Sequence, residues 1–321
     1  MKKKIECNII NIYQNANDSE LIKYFKNYSI IEKKQIEEAK CITDHTSSVF
    51  SLLLLKDKRI ASCSRDKTIR IFDPSNNYKC TQVIERHTKG ITSICELDDG
   101  TIVSCSWDKS IMIGDYTIKN AHDNFIFKVI TLPNNRIASC SWDKTIKIWK
   151  SNPPYSDTPI KVLEGHRHYV KSLLYIKERD ILISGSSDVT LRLWNMSTYQ
   201  CDKVIELVQC YFTNSLYQID KDRVIVGGIK SFCIVNIDKC VIEKIIEDES
   251  LGGVGCFLKL RDNKTILCGC HNGIFCFYDM NTVQYKITKN NHYDGISALL
   301  MIDDNTFLSC SYDNTIKVWK Y

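Results

Sequence analysis

IASCSWDKTIKIWK, residues 137–150, decides the reading of the whole chain, because close copies of it recur in phase. The copies are IASCSRDKTIRIFD (60–73), IVSCSWDKSIMIGD (102–115), LISGSSDVTLRLWN (182–195) and FLSCSYDNTIKVWK (307–320), and they align without gaps. Each follows a histidine: His45, His87, His122, His166 and His292. The step from that histidine to the turn aspartate (Asp66, Asp108, Asp143, Asp188, Asp313) is 21, 21, 21, 22 and 21 residues. Six residues after each aspartate stand Phe72, Gly114, Trp149, Trp194 and Trp319. Fixed-period self-similarity of this kind is the signature of a repeat architecture.

The histidines lie 42, 35 and 44 residues apart, and then 126 to the last. Three times 42 is 126, so two divergent repeats are expected in the gap, with histidine positions near 208 and 250. RVIVGGIKSFCIVN (223–236) and TILCGCHNGIFCFY (265–278) carry the apolar alternation those repeats require. In the same frame Ile225, Ile229 and Val235 of one, and Leu267, His271 and Phe277 of the other, stand where most of the other repeats have a serine, an aspartate and an aromatic residue. Seven repeats follow. Each reads as four short strands of alternating apolar residues. Asp, Asn and Gly clusters such as Leu97-Asp98-Asp99-Gly100, Pro133-Asn134-Asn135 and Asp303-Asp304-Asn305 supply the hairpin turns.

A histidine about 21 residues before Ser-x-Asp, with a following strand ending in Trp, resembles the WD-repeat family over roughly residues 38–321. The closing Trp-Asp dipeptide is complete nowhere, and Gly-His only at Gly165-His166. The resemblance implies an all-β, seven-bladed propeller of four-stranded antiparallel blades. It also implies a hydrogen-bonded tetrad of histidine, serine, aspartate and tryptophan in a blade. The matching sets are His122, Ser139, Asp143 and Trp149; His166, Ser184, Asp188 and Trp194; and His292, Ser309, Asp313 and Trp319. Partial sets are His45, Ser62 and Asp66 with Phe72, and His87, Ser104 and Asp108 with Gly114 in the indole position.

The last repeat stops at Tyr321 after its third strand, and residues 38–43 look like the missing fourth. They are expected to close the ring, which would remove two open sheet edges. Residues 1–37 are read as an N-terminal extension, partly helical: Leu21, Ile22, Phe25 and Tyr28 lie at helical spacing after Asp18-Ser19-Glu20. The two blades without a tetrad are expected to be the softest of the ring, and Leu251-Gly252-Gly253-Val254-Gly255 a flexible loop leading into one of them.

Composition narrows the function. The chain has 321 residues, 44% hydrophobic and 25% charged, with a formal charge of +5. Lys2-Lys3-Lys4 is the only basic run, so a nucleic-acid-binding propeller is kept as the alternative reading rather than the first. No stretch approaches the apolar length of a membrane helix. Glu6, Asn8 and Asn11 interrupt any signal-peptide core, which points to the cytoplasm, with the nucleus open to it. Sixteen cysteines contain no CxxC pair; Cys63, Cys105, Cys140 and Cys310 recur at one strand position, as buried thiols do in a reducing compartment. No metal or other cofactor is expected. Neither a G-x-S-x-G elbow nor a phosphate loop occurs, and an enzyme needs one activated nucleophile rather than a repeated set.

The expected role is a non-catalytic scaffold or adaptor for other proteins or peptides, including the recognition subunit of a larger complex. By the resemblance, the residue before each turn aspartate lies on the top face: Arg65, Trp107, Trp142, Ser187 and Tyr312, with Phe125 and Tyr169 nearby. Trp, Tyr and Arg dominate binding hot spots. Arg65, Trp107, Trp142 and Tyr312 belong to blades that adjoin in a closed ring, so they are expected to form one arc.

Overall fold

The structure is a computed structural model that describes residues 36–207, 213, 215–288 and 291–321. The helix expected within residues 1–37 lies outside the described residues. Seven four-stranded antiparallel sheets, each a consecutive meander, make up the fold. Blades one to six span residues 49–85, 91–118, 126–163, 170–206, 215–247 and 254–287. Blade seven takes Ile296–Met301, Thr306–Ser311 and Ile316–Lys320, and its outer strand is Glu37–Ile42 from the other end of the chain. Ile42 opposite Ile316 is buried, and Lys317 Nζ meets Glu38 Oε2 at 2.7 Å. The ring is therefore closed by sheet hydrogen bonds, as the sequence predicts.

The apolar alternation explains where the core sits. Second strands such as Ile60–Ser64 and Thr306–Ser311 are buried along their whole length. They lie between two strands of their own blade and the faces of both neighbouring blades, which is why they read as runs of small and apolar residues. Outer strands such as Lys79–Glu85 are mostly exposed. Trp149, Tyr278, Phe72, Phe232, Phe275 and Phe307 are among the largest fully buried side chains of the described residues.

A bulge recurs in the inner strands. In blades one, two, three, four, six and seven the pairing register skips one residue near the start: Phe50, Thr92, Phe127, Lys171, Gly255 and Ser297. A bulged residue is re-aimed away from the ladder, and all six of these line the mouth of the central channel.

Blade two is the irregular one of the histidine-bearing blades. Gly114 has φ +53, so the chain leaves the extended conformation there, and the third strand is only Ile111–Ile113.

Candidate partner-binding face

In five of the seven blades the incoming loop on the top face is tied by side chains to the turn between the second and third strands. In blade three Trp149 Nε1–H donates to Ser139 Oγ at 2.8 Å, Ser139 Oγ lies 2.8 Å from His122 Nε2, and His122 Nδ1 lies 2.7 Å from Asp143 Oδ2. A carboxylate only accepts, so Nδ1–H donates to Asp143; Nε2 then accepts the serine proton, and the serine oxygen accepts from the indole. The same chain runs through His166, Ser184, Asp188 and Trp194, and through His292, Ser309, Asp313 and Trp319. His45–Ser62–Asp66 and His87–Ser104–Asp108 form it without the indole.

A fifth member had no place in the sequence reading. Thr145 Oγ1–H donates to Asp143 Oδ1 at 2.7 Å, and Thr68, Ser110, Thr190 and Thr315 do the same for their aspartates. The signal was present in the D-K/N-T/S turn. Desolvation pushes these carboxyl pKa values up, but the bonds from histidine, from the Thr or Ser hydroxyl and from backbone N–H groups outweigh it, so all five lie well below the usual range. Burial lowers the pKa of His122 and favours the neutral ring.

The divergent blades require a correction. In blade six the hairpin between Lys259 and Ile266 holds one residue more than that between Leu54 and Ile60, so the gapless alignment slips by one. Phe257 pairs with Cys268 as Leu52 does with Ser62, and Ile266 pairs with Tyr278 as Ile60 does with Phe72. The tetrad positions are therefore held by Cys268, Asn272 and Tyr278, not by Leu267, His271 and Phe277. Asn272 Nδ2 donates to the Ser250 carbonyl at 2.6 Å and ties the incoming loop by another route. In blade five the serine position is Val226 rather than Ile225, by the pairing of Leu216, and Ile229 is exposed.

With the register corrected, His271 joins the residues that precede the turn aspartate. The N–H groups of Arg65, Trp107, Trp142, Ser187, His271 and Tyr312 each bond the incoming-loop carbonyl of Ser48, Gly90, Phe125, Tyr169, Gly253 and Gly295, at 2.7 to 3.0 Å. One hydrogen bond per blade thus fixes six equivalent side chains around the channel mouth. Gly273 (φ +78) follows in blade six, where an added Cβ would lie 2.2 Å from the His292 carbonyl, so only glycine fits that turn.

The side chains meet. Ring centroids step from His271 to Tyr312 (6.1 Å), Phe50 (5.9 Å), Trp107 (5.2 Å), Phe125 (6.0 Å) and Trp142 (5.3 Å), and end with Trp142 stacked on Tyr169 at 4.5 Å. This is a continuous aromatic arc over blades six, seven, one, two, three and four. Phe50, which bridges Tyr312 and Trp107, and Phe127, which packs on Trp142, were missed because they lie at the inner-strand bulge, not at the repeated turn. Arg65 is exposed, with its guanidinium 5.8 Å from the Trp107 ring, and Lys89 Nζ is 5.5 Å from Phe125. Trp142 Nε1 and Ser187 Oγ are buried with no hydrogen-bond partner among the described residues. Trp149, Trp194 and Trp319, by contrast, each donate to a serine.

Comparison with known proteins matches this geometry. The family model described as WD domain, G-beta repeat, covers residues 37–73, 78–115, 116–150, 157–195 and 284–320, more than half of the chain. Nuclear distribution protein nudF of Aspergillus niger is 37% identical over 83 residues, 26% of this chain and 18% of that protein. WD repeat-containing protein 55 homolog of Dictyostelium discoideum is 26% identical over 157 residues, 48% of this chain and 37% of that protein. The chain thus spans well under half the length of these curated relatives. Among solved structures, the WD40 β-propeller domain of Doa1 superposes with a TM-score of 0.74 at 17% identity, covering 89% of this chain and 97% of that one. Five matched repeats in a closed seven-bladed ring establish that the chain belongs to the WD40 repeat family.

Proposed function

We propose that this protein is a non-catalytic interaction scaffold or adaptor whose partners, proteins or peptides, dock on the aromatic arc of the top face. The observation that carries the reading is the arc itself. Arg65, Trp107, Trp142 and Tyr312, bridged by Phe50 and Phe125, present the residue types that dominate hot spots on a rigid, hydrogen-bonded rim. Trp142 has the further mark of a donor left unpaired in the free chain, which buried polar groups seldom are.

Catalysis by the serine–histidine–aspartate sets is disfavoured by burial: the serines lie at 0 to 3% exposure, beyond the reach of any substrate carbonyl. The described cysteines are free thiols, in keeping with a cytoplasmic or nuclear setting.

The test is capture from native lysate by the wild-type chain and by the Trp107→Ala/Trp142→Ala/Tyr312→Ala variant. Specific proteins lost by a variant of unchanged melting temperature support the reading. The same proteins retained by the variant would place the interface elsewhere.

A further inference from the structure

Blade three carries an insertion on the face opposite the arc. The hairpin between the third and fourth strands takes residues 74–78, 114–115, 196–200, 237–240 and 280–284 in blades one, two, four, five and six, but 151–160 in blade three. In a meander whose second-to-third-strand turns stand on the top face, these hairpins stand on the other. The insertion holds three of the five prolines of the chain, Pro153, Pro154 and Pro159. Proline lacks the N–H that a strand ladder uses, so the segment runs free of the sheet.

The insertion is a strap laid across to blade two. Its ends are tied by backbone bonds, Ser151 N–H to the Asn135 carbonyl at 2.9 Å and Ile160 N–H to the Ile148 carbonyl at 2.7 Å. Among the described residues no backbone-to-backbone bond joins 152–159 to the rest of the chain. Side chains hold the middle. Tyr155 stacks on Tyr116 of blade two with ring centroids 4.6 Å apart, and the Tyr116 hydroxyl donates to Asp157 Oδ1 at 2.6 Å. Both rings pack against the buried cluster that includes Ile113, Ile118 and Trp149. The cover falls where blade two is thinnest: Gly114 stands at the position that is tryptophan in blades three, four and seven, and the third and outer strands are only Ile111–Ile113 and Tyr116–Ile118.

The strap also presents a hydroxyl. Thr158 is exposed, its Oγ1 lies 2.7 Å from Ser156 Oγ, and its N–H donates to the same oxygen at 3.1 Å. Thr158-Pro159 is the only Ser-Pro or Thr-Pro dipeptide of the chain. A protein kinase takes the residues on both sides of the acceptor hydroxyl into its cleft in extended form. A segment whose middle is held by side chains alone supplies them through local opening, whereas a hydroxyl within a sheet would require a blade to unfold. The residue before Thr158 is Asp157, already the acceptor for Tyr116. Arg86, a cation at the same hairpin of blade two, is engaged by Asp115 and by the Gly114 carbonyl.

We propose that Thr158 is the acceptor of a proline-directed serine/threonine kinase, and that the phosphate releases the strap from blade two. The γ-phosphoryl group of ATP passes to Thr158 Oγ1, the bond from its phosphorus to the bridging oxygen breaks, ADP leaves, and the hydroxyl proton goes to the carboxylate base of the kinase. The product places about −1.5 to −2 of charge beside the Asp157 carboxylate at neutral pH. Repulsion then works against the one contact that needs Asp157 in place, the bond from Tyr116, and the tyrosine stack loses its tether. The site lies on the other face from the arc, and neither reading rests on the other.

The test takes the full chain, a purified proline-directed kinase and ATP, with the sites mapped by mass spectrometry. Thr158 is expected to be the principal site in the folded chain. Thr158→Ala and Pro159→Ala should each cut incorporation about tenfold or more, and a kinase selective for basic flanks should leave Thr158 unmodified. Incorporation at Thr158 only after heat unfolding, or chiefly at other residues, would overturn the site. Hydrogen exchange reads the consequence. In the phosphorylated chain the amides of Tyr155, Ser156, Asp157 and Thr158 should exchange about threefold or more faster than in the unmodified chain, and high salt should shrink the difference. Asp157→Asn removes the charge while keeping an acceptor for Tyr116, and should abolish it. A phosphorylated strap that exchanges at the unmodified rate, or that loosens equally in Asp157→Asn, would overturn the release.

Discussion

Blades three and six have the same four strands and the same antiparallel meander, yet they are held together by different means. In blade three a chain of four polar groups runs from the buried Trp149 to Asp143 and fixes both the incoming loop and the turn on the top face. In blade six Phe275, Tyr278, Cys268 and Cys276 fill the interior, and a single side-chain bond, from Asn272 to the Ser250 carbonyl, takes the place of the tetrad. Apolar burial is non-directional, so it stabilises a blade without dictating where its loops stand. Hydrogen-bonded chains are directional and do dictate it. The arc of aromatic residues lies chiefly over the tethered blades, where the loop positions that present it are fixed one by one.

The largest expected effect concerns the strand that both kinds of blade depend on. Removal of residues 1–43 takes away Glu37–Ile42 and leaves the edge of Ile316–Lys320 unpaired, and the product should be insoluble. A soluble truncation with a cooperative melt would contradict the closure. Next comes the interior of blade six. Phe275 is fully buried and sits 5.2 Å from Trp319 across the blade boundary, so Phe275→Ala should cost about 3–5 kcal/mol in denaturant titration.

Asp143→Ala in blade three removes an acceptor and leaves His122, Thr145 and backbone donors unpaired, a loss of about 1–3 kcal/mol. Its hydrogen exchange should rise locally, in the loop 119–125 and the turn 141–145. A cost equal to that of Phe275→Ala would mean that polar and apolar blades are not held differently.

Acid should separate the two kinds of blade. The tetrad aspartates have folded pKa values below the ordinary 3.8, so their contribution is fully present above that pH and is lost as pH falls through the folded values. For the buried, neutral His122, whose folded pKa lies below 6.5, the loss begins as pH drops past 6.5, because the unfolded chain takes up the proton first. Blade-resolved hydrogen exchange from pH 7 to pH 2, corrected for intrinsic rates, should show blade three weakening first, as pH falls past 6.5, and blades four and seven following below about pH 3.8. Uniform weakening would count against the tether. The smallest effect is a gain. Val189 is β-branched at φ 64, where blades one, two and three place lysine and blade seven asparagine. Val189→Asn should relieve about 1 kcal/mol of backbone strain, less what its side chain contributes to the adjoining core, and raise the melting temperature slightly.

The repeat made most of the fold legible. The histidine-to-aspartate spacing located five blades, the 126-residue gap located two more, and the orphan segment before His45 supplied the closing strand. The slip in blade six arose where the pattern thinned. One extra hairpin residue is invisible when no Ser-x-Asp marks the turn, and it moved His271 from the rim into a tetrad position. The turn residues of the arc could be read because they repeat with the motif. Phe50, Phe127 and Lys171 could not, since the bulge that re-aims the inner strand depends on pairing between strands and leaves no mark in a single one.

The most direct test of the central claim, that partners dock on the arc, is hydrogen–deuterium exchange of the full chain with and without a captured partner. The account predicts protection at the channel mouth, in peptides containing Phe50, Trp107, Phe125, Trp142 and Tyr312, and none along the outer strands. Protection confined to the outer strands or to the opposite face, with the arc unchanged, would contradict it.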